Sequence, residues 1–195
     1  QLLEISRPSK AVLKVVAVHD LIDDIAQVLN VQPLMSNMKL ECTLETPNDS
    51  VSADANQLRQ VFLNLIINAA DAVSAADSAV NGRLVIKSDL LSEKRDASGN
   101  PKPLLKITFI DNGPGISEDD ISNIFDPFFT TKVKERGTGL GLASAYGIVN
   151  NHSGIISIDS VVGQGTTVNV YLPISDQRAH REIHLNEDLA FGSET

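Results

Sequence analysis

Residues 64–72 read Asn64-Leu65-Ile66-Ile67-Asn68-Ala69-Ala70-Asp71-Ala72, and how this stretch folds decides how the rest is arranged. It lies within a longer run of helical spacing, Asp54 to Ser74. There Leu58, Val61, Phe62, Leu65, Ala69, Ala72 and Val73 make an apolar stripe, while Gln57, Gln60, Asn64, Asn68 and Asp71 fall on a second face. Asn64 and Asn68 are four residues apart and Asp71 follows three later, so all three stack on one side of a helix and one ligand can meet them together. Asn and Asp compete with the helix for backbone hydrogen bonds and are poor interior residues. Three of them here read either as a solvated or backbone-bonded face, or as a face whose amide oxygen ligates a hard ion such as Mg2+, which takes few protein oxygens.

On the N-terminal side, Ala11 to Val18 is β-branched and apolar, a strand candidate. His19-Asp20 then opens a helix with Leu21, Ile22, Ile25, Val28 and Leu29 on one side, and Lys39 to Thr46 alternates as a strand. On the C-terminal side, Arg83–Leu91 and Leu104–Ile110 read as paired strands joined by the polar loop Ser92 to Pro103. A helix from about Leu140 to Asn150 and two strands, Gly154–Ser160 and Thr166–Leu172, follow, with Pro173 closing the sheet. Residues 1–10 carry a helical remnant (Leu2, Leu3, Ile5) stopped at Arg7-Pro8-Ser9. Residues 11–175 form the expected domain, and 176–195 a flexible tail with little apolar periodicity.

The chain has 195 residues, enough for one full domain with short appendages. Sixteen Lys and Arg against 25 Asp and Glu give a net charge of −9, which argues against a nucleic-acid surface. The single Cys42 excludes an internal disulfide framework and a Cys-based zinc site, and its alternating surroundings predict a buried thiol. No apolar run approaches the roughly 20 residues of a membrane span, and the N-terminus lacks a signal-peptide pattern. The expectation is a soluble, cytoplasmic domain without direct membrane contact.

Three further segments carry chemistry. Asp111-Asn112-Gly113-Pro114-Gly115-Ile116 follows a strand ending at Ile110. It is either a tight turn or a ligand wall, in which a strand-end carboxylate accepts from an exocyclic amine and two glycines let backbone approach a flat ligand. Gly137-Thr138-Gly139-Leu140-Gly141-Leu142 opens a helix, and freed backbone N–H groups at a helix start make an anion site. Its spacing is neither the Rossmann nor the Walker pattern. Between the two lies Phe125-Asp126-Pro127-Phe128-Phe129-Thr130-Thr131-Lys132, continuing through Lys134 to Arg136. A basic segment between aromatic anchors and glycine hinges reads as a lid over phosphates, or else as an ordinary surface loop.

In this order the segments resemble the catalytic ATP-binding domain of sensor histidine kinases, within the superfamily of gyrase, Hsp90, histidine kinases and MutL. Residues 64–72 look like its N box, Asp111–Ile116 its first glycine box, Phe125–Lys132 its F box, and Gly137–Leu142 its second glycine box. Gly163-Gln164-Gly165-Thr166 looks like the last one. The resemblance spans about Ala11 to Pro173. It implies an α+β, two-layer α/β sandwich (the Bergerat ATP-binding fold) with helices on one face of a mixed sheet, and ATP and Mg2+ as cofactors. It further implies Asn68 on the metal, Asn64 supporting phosphate or metal, Asp71 on the same face, and Asp111 on the adenine amine. Gly113, Gly115 and Ile116 then belong to the adenine wall, Lys132 and Arg136 lie near the phosphates, and Thr166 joins the adenine water network. Phe125, Thr130, Thr131 and the stretch Gly137, Thr138, Gly139, Leu140, Gly141, Leu142 complete the nucleotide-binding set.

Branches of the superfamily that hydrolyse ATP carry a Glu one turn before the metal Asn as general base. Asn64 stands there and cannot take up a proton, so hydrolysis is expected to be slow. Leu2-Leu3-Glu4-Ile5-Ser6-Arg7-Pro8 resembles the end of the dimerisation helix of nitrogen-regulation-type kinases. The implied partners are that dimerisation and phospho-acceptor domain, a response regulator receiver domain, and a second copy in a homodimeric parent. None of His19, His152, His180 and His184 carries the acceptor pattern. The rival readings are a serine kinase of the anti-sigma-factor type and a non-catalytic nucleotide-sensing module.

Overall fold

A computed structural model describes residues 12–75, 81–91, 103–130 and 138–179. Their order is β1 (Lys14–Ala17), α1 (Val18–Leu29), β2 (Met38–Leu44), β3 (Ser50–Ala53), α2 (Ala55–Ala75), β4 (Gly82–Leu91) and β5 (Leu104–Asp111). Then come α3 (Glu118–Ile121), α4 (Gly141–Asn151), β6 (Ile155–Val161) and β7 (Gly165–Pro173). The main sheet has five strands in the order β2-β4-β5-β7-β6. It is mixed: β2 and β4 run parallel, and every other neighbouring pair antiparallel. Strands β1 and β3 make a separate antiparallel ribbon, with Lys14 opposite Ala53 and Ala17 opposite Ser50. This is the α+β arrangement the sequence resemblance implies.

Period-two alternation assigns the faces. Leu84 and Ile86 of β4, Leu105, Ile107 and Phe109 of β5, and Val168, Val170 and Leu172 of β7 point into the core. The intervening Lys87 and Asp89 are exposed. Against the inner face lies the apolar side of α2, where Leu58, Val61, Phe62 and Ile66 are fully buried and the Phe62 and Phe109 rings meet at 5.9 Å. Each such aliphatic or aromatic side chain contributes about 1.5–3 kcal/mol by leaving water, so this one helix anchors much of the core. Its first turn is capped by Asp54, whose Oδ1 accepts from the backbone N–H groups of Asn56 at 3.0 Å and Gln57 at 3.2 Å. The same carboxylate holds the Val12 N–H at 3.1 Å through Oδ2, and these bonds keep it below the usual carboxylate range.

Several expectations give way. The predicted strand at 11–18 shrinks to Lys14–Ala17; Val12 and Leu13 are exposed and Val18 already belongs to α1. Val28 is 62% exposed, because α1 buries Val18, Leu21, Ile22, Ile25, Ala26 and Leu29 and leaves Val28 on the rim of that stripe. Cys42 is exposed rather than buried, since β2 is an edge strand with one hydrogen-bonded neighbour. Strand β3 and the single-turn α3 were not expected: four residues reading Ser-Val-Ser-Ala carry too short a pattern to register. Beyond β7, Ile174 bridges to Val51, the Ser175 N–H donates to the Ser50 carbonyl at 2.8 Å, and the Ala179 N–H donates to Ser50 Oγ at 3.0 Å. The 92–102 part of the polar loop, the remnant at 1–10, His180 and His184 lie outside the described residues.

Candidate nucleotide site

Helix α2 turns two faces to two different environments. The apolar one is core; the other, carrying Asn64, Asn68 and Asp71, lines a cavity of about 710 Å3 between α2, the start of α4 and the ends of β5 and β7. All three side chains are half-buried. Asn64 donates through Nδ2 to the Gly141 carbonyl at 3.2 Å, and one turn earlier Gln60 donates to Ser144 Oγ at 3.2 Å. With one of its two N–H donors given to α4, Asn64 keeps its amide oxygen as an acceptor. The opposite ends of these helices are tied as well. His152, buried just past α4, has Nδ1 2.8 Å from the Ile148 carbonyl, while its Nε2 accepts the Asp54 N–H at 3.0 Å. Both bonds form together when Nδ1 carries the proton and donates.

Asp111 is the last residue of β5, opposite Thr166 of β7. It is 8% exposed. Burial pushes its carboxyl above the usual range, opposed by hydrogen bonds from the Gly113 N–H, at 2.8 Å to Oδ1, and from the Thr166 backbone. A carboxylate has about four acceptor positions, so two remain for a ligand. The loop that follows is fixed to the β6–β7 turn. Gly115 has φ +73°, and a Cβ there would run into the Val161 carbonyl; the Gly163 N–H donates to the Pro114 carbonyl at 2.8 Å; the Ile116 N–H donates to Ser160 Oγ at 2.8 Å.

At the other end, α4 opens at Gly141, and Gly141 and Leu142 reach the cavity wall. Thr130, Thr138 and Gly139 stand there too. Gly139 has φ +66°, and a Cβ there would run into the Phe128 backbone. Phe128, itself at φ +71°, donates its N–H to the Gly139 carbonyl at 2.9 Å, so the two flanks of the intervening segment are pinned together. Backbone N–H groups at such a helix start favour anions.

The structure therefore brings the N-box residues, Asp111, Gly115, Ile116 and Thr166 to one cavity with the start of α4. Three expected residues stand off its wall. Gly113 is buried behind Asp111, Leu140 is 43% exposed, and the Phe125 ring packs 5.1 Å from Tyr146. Thr131, Lys132, Arg136 and Gly137 lie outside the described residues. Phe129 of the F box adds to the apolar part of the wall, together with residues that the sequence did not single out, Ile124, Ile158 and Val168. The last two were recoverable from strand parity, since both share the inward face with core residues. The donor set on α2 is two amides and one carboxylate. Among the described residues no group of three or more His, Cys, Asp or Glu could hold a metal. Such a face fits a hard cation that takes most of its ligands from phosphate and water, and does not fit zinc.

Comparison with known proteins agrees with this geometry. The chain is 35% identical over 177 residues to the signal transduction histidine-protein kinase AtoS of Escherichia coli, covering 91% of this chain and 26% of AtoS. It is 33% identical over 178 residues to the sensor histidine kinase ZraS of the same organism, covering 91% of this chain and 35% of ZraS. The chain thus spans about a quarter to a third of the length of these relatives. Among solved structures, the mycobacterial sensor histidine kinase MprB superposes with a TM-score of 0.65 at 26% identity, over 84% of this chain and 98% of that one. Residues 53–176, from the end of β3 through β7, match the family model described as histidine kinase-, DNA gyrase B- and HSP90-like ATPase, and the chain is a nucleotide-binding member of that family.

Proposed function

We propose that this chain is the catalytic ATP-binding domain of a two-component sensor histidine kinase, moving the γ-phosphate of ATP to a histidine on a separate dimerisation domain for relay to a response regulator. One observation carries the reading: a single cavity holds a buried carboxylate, Asp111, at one end and the amide face of α2 against a helix N-terminus at the other. An amine acceptor and an anion site in one cavity suit an adenine nucleotide.

In this reading Asp111 accepts from the adenine amine, Gly113, Gly115 and Ile116 shape the wall beside it, and Thr166 binds at the same edge. Asn68 holds Mg2+, with Asn64 and Asp71 beside it. The ion's chemistry is to neutralise phosphate charge during in-line transfer. The α4 start, with Thr130, Thr131, Thr138 and Gly139, receives phosphate oxygens, and Lys132 and Arg136 balance their charge. Residues 11–175 are the catalytic domain. Residues 1–10 resemble in sequence the end of the dimerisation helix of nitrogen-regulation-type kinases, and 176–195 follow the domain. The parent is a homodimer with this domain in the cytoplasm. Asn64 cannot act as a base toward water, and one of its N–H donors is already given to Gly141, which supports retention of the γ-phosphate for transfer.

The test is phosphotransfer in trans. With γ-labelled ATP and Mg2+, the chain should label a separately made dimerisation hairpin of a relative such as AtoS with acid-labile, base-stable phosphate, and should not label itself. Label on this chain alone, or rapid hydrolysis without any acceptor, overturns the reading.

A further inference from the structure

Ser160, in β6, makes three contacts through one hydroxyl oxygen. It receives the Ile116 N–H at 2.8 Å, lies 2.9 Å from the Gly165 carbonyl, and lies 3.0 Å from the Thr166 hydroxyl across the β6–β7 pair. A serine hydroxyl has one proton and two lone pairs. The Ile116 N–H occupies one lone pair. The Gly165 carbonyl has no proton to give, so the serine proton must go to it. Only the second lone pair is left for Thr166, and all three contacts form together only when Thr166 is the donor. Thr166 Oγ1 then has no proton to offer elsewhere and keeps lone pairs alone.

Thr166 is 9% exposed, lines the cavity and sits opposite Asp111, whose carboxylate is likewise acceptor-only when ionised. We infer that Ser160 is a positioning residue that fixes Thr166 as a hydrogen-bond acceptor, so that the Asp111–Thr166 end of the cavity selects a 6-amino purine and rejects a 6-oxo purine. The inference rests on the adenine-nucleotide reading and refines it. Two neighbouring acceptors take an amine or a water that donates to both. A 6-oxo group brought to the same place finds no donor, and burying acceptor against acceptor is costly. Ser160 itself need not touch the nucleotide; it acts through the proton it withholds from Thr166.

The experiment compares ATP with inosine triphosphate, which differ at that edge by an amine beside a bare N1 against a carbonyl beside an N1–H, using calorimetry on the full chain. Wild type should prefer ATP. Ser160→Ala frees the Thr166 hydroxyl to turn and donate, and should lower the ATP:ITP affinity ratio about five- to tenfold, the worth of one hydrogen bond. Ser160→Thr should restore the ratio. In a Thr166→Val background, Ser160→Ala should leave the ratio unchanged. If Ser160→Ala weakens both nucleotides equally, or its effect on the ratio persists in the Thr166→Val background, the residue only anchors the Ile116 loop and the inference is overturned. Should Ser160→Ala fail to fold, Thr166→Val against Thr166→Ser decides: a ratio kept by Ser and lost by Val supports it, and equal ratios refute it. A wild type that does not prefer ATP removes the adenine reading itself, before any variant is made.

Discussion

Replacing Asp111 by Asn keeps the shape of the side chain and removes its charge, so it separates the work of the buried carboxylate from its packing. In the free protein two effects oppose one another. Burial disfavours the ionised form, while the Gly113 N–H at 2.8 Å and the Thr166 backbone stabilise it, and the carboxyl ends up above its ordinary value of 3.8, so burial prevails. For a carboxyl raised on folding, the linked stability is fully present below its unfolded value and is lost as pH rises through the folded one. That contribution falls away as pH rises through the raised value. Asn carries no such pH dependence and still accepts from Gly113, so the free variant should unfold within about 1 kcal/mol of wild type at pH 7. Its stability relative to wild type should decline as pH falls toward the unfolded value of 3.8 and level off below it. Binding behaves differently. A hydrogen bond to a charged acceptor contributes about 1.5–3 kcal/mol, so Asp111→Asn should bind ATP about 10- to 150-fold more weakly. The amide can also donate to a carbonyl, so preference for ATP over GTP should flatten. Calorimetry with ATP and GTP, beside thermal unfolding of the free proteins, reads both halves. An affinity within threefold of wild type with an unchanged ATP:GTP ratio refutes the assignment.

Asn68→Ala should abolish the dependence of ATP binding on Mg2+ while unfolding stays cooperative, because Asn68 is half-buried at the cavity and is not one of the core residues; unchanged Mg2+ dependence in calorimetry refutes this. His152→Ala should destabilise the fold by about 1–3 kcal/mol through the Asp54 N–H left without its acceptor, and chemical denaturation within 0.5 kcal/mol of wild type would contradict it. Gly139→Ala places a Cβ against the Phe128 backbone at a φ of +66°. It should lower the melting temperature and weaken ATP more than tenfold, whereas wild-type binding would show that the Phe128–Gly139 contact is not needed.

The elements with strong periodicity were legible. Helix α2 falls within a residue of its expected bounds, because its stripe and its polar face repeat over five turns. The antiparallel pairing of β4 with β5 followed from two strong alternating runs about one loop. What failed lacked either length or a local signature. Strand β3 is four residues long and exists because β1 pairs with it. The exposure of Cys42 depends on strand order, which no local pattern records. Of the site, the residues in glycine- or asparagine-rich segments announced themselves through local rules that such residues break. Ser160 did not. A serine in a strand is ordinary in sequence, and its part appears only once β6, β7 and the Asp111 loop meet around one oxygen. Likewise Ile124 reads as a generic apolar residue until it is seen to line the cavity.

The ribbon of β1 and β3 receives the chain twice. Val12 lies two residues before the Lys14–Ala53 pair, and residues 174–179 return to dock on Ser50 and Val51 of the same strand. Entry and exit of the described chain share one corner. A pull on either segment therefore meets β3 and a few hydrogen bonds at its margin first, with the Asp54 cap of α2 beside Val12. The cavity, lined by α2, β5, β7 and the start of α4, lies away from β1 and β3, none of whose residues line it.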